Sequence, residues 1–194
     1  MREEILKQLE ESARLKQSLA ATQLDTIARM AETLIRCLGA GGRVFTMGNG
    51  GSAADAQHIA GELVGRFRRE RRGFAAQALS TDTSILTAVA NDYGFEDVFR
   101  RQVEALVGEG DVVIGLSTSG NSPNVLRGCQ EAKKRKAKVL GFSGRGGKLR
   151  RVAHLCLIVP SKSSPRIQEA HITVAHILCD LVEEALVKPS RRKT

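Results

Sequence analysis

'DVVIGLSTSGNSPNVLRGCQEAKKRKAKVLGFSG', residues 111–144, decides the fold. Its first run, 'DVVIGLS' (111–117), is apolar without alternation, as expected of a strand buried on both faces. 'SPNVLRGCQEAKKRK' (122–136) then reads as a helix, with Ser122 at the N-cap and Pro123 at the first helical position. A second apolar run, 'KVLGFSG' (138–144), follows directly. Strand, helix and strand in so short a span form a parallel crossover unit.

The same alternation extends both ways. 'RVFTMG' (43–48), 'AAQALS' (75–80) and 'HLCLIVP' (154–160) read as further strands. 'SAADAQHIAGELVGRF' (52–67), 'DTSILTAVAND' (82–92), 'FEDVFRRQVEALV' (95–107) and 'PRIQEAHITVAHILCDLVEEALV' (165–187) read as helices. Before the first strand, Ile5, Leu9, Leu15, Leu19, Leu24, Ile27, Leu34 and Ile35 recur at helical spacing, giving one or two amphipathic helices over 3–38. The expected fold class is therefore α/β, a doubly wound five-stranded parallel sheet flanked by helices, with an N-terminal helical lead-in. The 194 residues suit one domain (1–194), with 1–40 used in packing and oligomerisation and 188–194 as a basic tail.

No run approaches the ~20 apolar residues of a membrane span, and 'MREEILKQLEESARLKQ' is too charged for a secretory signal. Cys37, Cys129, Cys156 and Cys179 are far apart and form no C-x-x-C pair, which points to reduced thiols and a cytoplasmic protein. The formal charge of +9 is concentrated in 'RFRRERR' (66–72), 'KKRKAK' (133–138) and 'KPSRRKT' (188–194). No aromatic residues interleave with the second and third of these, so solvated faces and a frayed tail are expected rather than a nucleic-acid surface. A basic field also suits an anionic small substrate.

In such sheets ligands bind beyond the carboxyl ends of the strands. After the first strand comes 'GNGGSAAD', whose glycines permit positive φ, with Ser52 as N-cap and Asp55 completing a reciprocal cap. It is neither a dinucleotide fingerprint nor a Walker sequence, and it reads as a tight turn or as an anion cradle. After the third strand, 'STSGNSPN' gathers Ser117, Thr118, Ser119 and Ser122 around Gly120 at a helix start. One capping serine does not explain four hydroxyls, and a phosphate cradle does. His58 and Glu62, four apart on a helix, share a face and can hold a divalent metal or simply bond to each other. The last helix offers Gln168, Glu169, His171 and His176. Spacing favours Glu169 over Gln168 as the residue facing the way His176 does, and sets His171 well away from it. His176 near Glu62 makes an acid–base pair.

Together 'GNGGSAADAQHIAGELVGRF', 'LTAVANDYGFEDVF', 'GDVVIGLSTSGNSPNV' and 'RIQEAHITVAHILCDLVE' resemble the sugar isomerase (SIS) domain family and, within it, the bacterial phosphoheptose isomerases. The resemblance spans nearly the whole chain. It implies a homotetramer with sites at subunit contacts and ketose–aldose isomerisation through an enediol. The substrate implied is sedoheptulose 7-phosphate and the product D-glycero-D-manno-heptose 7-phosphate, the first step of ADP- or GDP-heptose biosynthesis, including that of lipopolysaccharide. By the resemblance Ser117, Thr118, Ser119 and Ser122 hold the phosphate, while Asn49, Gly50, Gly51, Ser52, Asn91 and Asp92 line the sugar pocket. His58, Glu62, Gln168 and His176 match zinc ligands, with Glu62 also the base and His176 the acid; here the resemblance selects Gln168 over Glu169. Some relatives carry an acidic residue where this chain has Pro165. A second reading, a non-catalytic binding protein on the same fold, resembles the replication-initiator-associating protein through 'GNGGSAA' and 'RIQE'. That relative does not retain Glu and His at the positions of Glu62 and His176, and this chain has both.

Overall fold

The computed structural model describes residues 1–187; the basic tail expected at 188–194 lies outside the described residues. The helical lead-in is two helices, α1 (Arg2–Thr22) and α2 (Leu24–Gly39), divided at Gln23. Gln23 Oε1 accepts the main-chain N–H of Ile158 (3.2 Å), so the break is tied to the far edge of the sheet. α2 buries Ile27, Met30, Ala31, Leu34 and Cys37, an i, i+3, i+4, i+7, i+10 stripe facing the core.

The α/β body then runs β1 (Val44–Met47), α3 (Gly51–Val64), β2 (Ala76–Ala78), α4 (Thr83–Tyr93), a 3-10 turn at Phe95–Asp97 and α5 (Val98–Leu106). It continues through β3 (Val112–Ser117), α6 (Pro123–Lys134), β4 (Lys138–Ser143), α7 (Leu149–Val152), β5 (Leu155–Ile158) and α8 (Ser164–Leu186). All four strand pairings are parallel, in the order β2-β1-β3-β4-β5. The five strands and the doubly wound class agree with the expectation from sequence; β2 is only three residues long.

Alternate strand residues feed two cores. Val44, Val112, Ile114, Leu116, Leu140, Phe142 and Leu157 meet α2, α3 and α8 on one face. Phe45, Met47, Val113 and Val139 meet α5, α6 and the short α7 on the other. Burial on both faces is why the strands read as continuous apolar runs. The chain turns back at β1: β2 lies on one side of it and β3 on the other. The crevice of a doubly wound sheet lies at such a reversal, which here sets the loops after Met47 and Ser117 side by side.

All four cysteines are free; Cys37, Cys129 and Cys179 are buried and Cys156 is partly so. Burial pushes the Cys37 thiol up to about 11 and those of Cys156 and Cys179 to about 12. They are packing residues, not nucleophiles. No helix among the described residues is long and apolar enough to cross a membrane.

Candidate active site

Two features of the β1–α3 loop correct the expected capping. α3 begins at Gly51, not Ser52, and Gly50 occupies the N-cap with φ +54. Only glycine adopts that conformation freely, so backbone geometry replaces the serine cap. Ser52 is buried in the first turn, its N–H donated to Asn49 O (3.0 Å). Asp55 makes no reciprocal cap: its Oδ2 is buried without a hydrogen-bond partner, and burial pushes the carboxyl above its ordinary range, against the pull of nearby His58. The final helix likewise starts one residue early, with Ser163 at the N-cap and Ser164, not Pro165, as its first residue.

Asn49, on the loop after β1, and Asn124, in the first turn of α6, exchange two amide hydrogen bonds of 2.8 Å each. This pair ties the start of α6 to the loop after β1. Asn124 had escaped sequence reasoning; its signal was a polar residue just inside a helix whose fellow residues at the same depth are apolar.

The hydroxyl cluster after β3 forms as expected. Ser117 Oγ lies 2.9 Å from Ser122 Oγ and 3.4 Å from Ser119 Oγ, and Ser119 Oγ accepts the N–H of Asn121 (3.1 Å). Ser122 does hold the N-cap position of α6, but its hydroxyl turns to Ser117 and caps no helix N–H. Thr118 Oγ1 reaches Ser164 Oγ (3.4 Å) at the start of α8. Gly120 has φ +66, and a Cβ there would sit 2.5 Å from Ser143 Oγ. The loop thus brings several hydroxyls to the start of α6, with the start of α8 beside it, which suits a phosphate dianion.

The third group joins α3 to α8. His58 Nε2 lies 3.0 Å from Glu62 Oε1 and 3.1 Å from His176 Nε2. The ligand atoms of all three residues lie within 4.8 Å of one another. A ring nitrogen offers one hydrogen or one lone pair, and His58 Nε2 faces two atoms that can both accept. Two donors on one tetrahedral zinc ion at ~2.0–2.1 Å sit about 3.3 Å apart. Both the separations and the donor chemistry therefore fit a shared cation. Phe67 stacks on the His176 ring, centroids 5.4 Å apart and planes at 28°.

The other candidates divide. Gln168 packs its carboxamide on the main chain at Gly51, where a Cβ would lie 2.4 Å from Nε2. Glu169, the residue preferred by spacing, is occupied elsewhere: Ser12 Oγ donates to it at 2.6 Å, and so does Arg166. His171 is fully buried edge-on to Phe142, and burial holds its imidazole neutral, down to about 4. Asn91 and Asp92 are exposed at the end of α4 and bond to each other (2.9 Å), to none of the other candidates among the described residues. Within 'RFRRERR', Arg68 and Arg69 pair with Asp180 and the Arg71 side chain is buried against Glu183, while Arg66 and Arg72 are exposed. In 'KKRKAK', the exposed Lys134 and Arg135 likewise pair with a carboxylate, that of the buried Glu131.

Comparison with known proteins places this arrangement. A family model described as SIS domain matches residues 8–144. The phosphoheptose isomerase of Pelobacter propionicus is 54% identical over 187 residues, 96% of this chain and 99% of that protein. That of Aquifex aeolicus is 53% identical over 191 residues, 98% of this chain and 100% of its own. The solved phosphoheptose isomerase of Neisseria gonorrhoeae superposes with a TM-score of 0.89 at 42% identity, covering 94% of this chain and 98% of that one. On these matches the chain belongs to the SIS domain family and, within it, to the phosphoheptose isomerases.

Proposed function

We propose that this chain interconverts sedoheptulose 7-phosphate and D-glycero-D-manno-heptose 7-phosphate through an enediol, as the first step of ADP- or GDP-heptose formation. The observation that carries the proposal is the meeting of His58, Glu62 and His176, in a crevice domain whose neighbouring loop is a hydroxyl cradle. Glu62 and His176 are also the residues on which an enzyme and a non-catalytic binding protein of this fold differ, and both stand in the cluster.

Glu62 Oε1 faces His58, and Oε2 makes no protein hydrogen bond among the described residues. That oxygen takes a proton from C1 of the ketose; the C–H electron pair becomes the C1–C2 double bond, and O2 gains a proton. The same carboxyl returns the proton to C2 as O1–H loses its own and C1 becomes the carbonyl. His176 moves the proton between O1 and O2. A carboxylate and an imidazole serve such transfers near neutral pH. His58, Glu62 and His176, with Gln168 proposed as fourth donor and sugar contact, would hold zinc, which would polarise the carbonyl oxygen and stabilise the enediolate. Ser117, Thr118, Ser119 and Ser122 bind the phosphate; Asn49, Gly50, Gly51, Ser52, Asn91 and Asp92 meet the sugar. Distant phosphate binding orients the reacting carbons.

A cytoplasmic homotetramer is part of the proposal. The oligomeric part is supported by α1, which leaves Ile5, Leu6 and Leu9 54%, 57% and 64% exposed, an apolar face that a second subunit would cover.

A panel of sugar phosphates tests the reading: turnover of sedoheptulose 7-phosphate is expected above that of pentose and hexose phosphates, and lowered by a chelator. Turnover confined to another sugar phosphate would reassign the substrate. Within the cradle, Ser119→Ala and Ser122→Ala are each expected to raise KM about tenfold or more, since a hydrogen bond to a charged group is worth about 1.5–3 kcal/mol. Steady-state kinetics check this, and an unchanged KM in both would move the phosphate elsewhere.

A further inference from the structure

We propose that Arg71 and Glu183 form a buried brace that positions the two proton-transfer groups, Glu62 and His176; this rests on the isomerase reading above. Neither residue reaches the crevice. The two side chains are 4% and 0% exposed, and their ion pair is 2.9 Å long.

Glu183 is held by four donors. Its Oε1 accepts the N–H of Phe67 (2.7 Å) and Arg71 Nε (2.9 Å), and its Oε2 accepts the N–H groups of Arg68 (2.8 Å) and Arg69 (2.9 Å). Three successive main-chain N–H groups around one carboxylate form an anion nest. The nest fixes the path of the chain as it leaves α3.

Arg71 directs most of its remaining donor contacts to the end of α3. Nη2 donates to the carbonyl of Glu62 (2.8 Å), and Nη1 to those of Leu63 (2.9 Å) and Gly65 (3.2 Å). The last carbonyls of a helix have no partner within it, so the guanidinium acts as the C-terminal cap, seated on the Phe74 ring at 4.0 Å. Glu62 is thus tied by its own main chain to a residue of α8.

The other half of the argument lies along α8. Glu183 is seven residues after His176, two turns on and on the same face. The carboxylate that holds Arg71 also holds the N–H of Phe67, whose ring lies against His176. One ion pair therefore reaches Glu62 through its carbonyl and His176 through a stacked ring. A buried ion pair gains little net stability over an apolar replacement. What it adds here is direction: apart from the pair's own bond and one from Arg71 Nη1 to the neighbouring Arg72 carbonyl (3.2 Å), every bond of the pair ends at the α3 terminus or the nest. A misplacement of about 1 Å at reacting groups costs as much as 10²-fold in rate.

The test uses Arg71→Lys, which keeps the charge and loses the fork, and Phe67→Leu, which leaves the ion pair whole. Folding is checked by circular dichroism melting, kcat and KM with sedoheptulose 7-phosphate, and zinc affinity by competition with a chromophoric chelator. Folded Arg71→Lys is expected to lose about 10- to 100-fold in kcat and in zinc affinity, with KM within about twofold because the cradle on β3 and α6 is untouched. Phe67→Leu is expected to lose about 3- to 10-fold in kcat, the worth of a ring stack, and serves alone if Arg71→Lys does not fold. A folded variant with wild-type kcat and wild-type zinc affinity overturns the brace. If the wild-type chain itself does not turn over the sugar phosphate, the isomerase reading fails separately; zinc affinity then decides, weakened in the variants if the brace holds and unchanged if it does not.

Discussion

Glu62→Gln is expected to turn over sedoheptulose 7-phosphate at least about 10³-fold more slowly than the wild-type chain, while melting within a few degrees of it. The amide keeps the size and most contacts of the carboxyl but accepts no proton. General-base catalysis contributes typically ~10²–10⁴-fold, and the substitution also removes the one anion from the His58–Glu62–His176 group. Glu62 is partly buried and its side chain takes no part in the core clusters, so little stability goes with it. Rapid-quench or coupled assays measure the loss, with circular dichroism as the folding control. Residual kcat above about a tenth of wild type would remove Glu62 from the proton-transfer role.

Glu183→Gln is expected to be the most destabilising single substitution in this group, by about 3–5 kcal/mol, because it leaves Arg71 buried without its counter-charge. The pH dependence carries the sign. Burial by itself raises the Glu183 carboxyl, but the N–H groups of Phe67, Arg68 and Arg69 and the Arg71 side chain outweigh it and hold the group down to about 2, against 4.5 in an ordinary environment. A depressed carboxylate stabilises the fold above its unfolded value and loses that contribution as pH falls through its folded value. The wild-type advantage over Glu183→Gln should therefore be full at neutral pH and shrink between about 4.5 and about 2. Urea unfolding of both proteins across that range measures it; a constant difference would show that the charge of Glu183 is not what stabilises.

Much of the site was legible because its parts are local. His58 and Glu62 are one turn apart, and the hydroxyls at 117–122 share one loop. The sheet was legible because burial on both faces leaves strands with no polar alternation. What escaped depends on long-range partners or backbone torsion. Spacing ranked Glu169 above Gln168, because it could not see that Ser12, 157 positions earlier on α1, takes Glu169. The brace joins residues 112 positions apart, and its arginine sits in a stretch whose composition reads as solvated surface. Asn124 pairs with Asn49 across 75 positions. The glycine cap of α3 was hidden by a serine that fits the usual preference, although Gly50 holds the torsion that decides the turn.

The most direct test is a ¹H NMR time course of sedoheptulose 7-phosphate with the wild-type chain, with Glu62→Gln, and with the wild-type chain after chelation and zinc readdition. The account predicts appearance of the aldose heptose 7-phosphate with the wild type, none on the same timescale with Glu62→Gln, and loss on chelation that zinc reverses. No aldose from the folded wild-type protein, or equal rates from the wild type and Glu62→Gln, would contradict it.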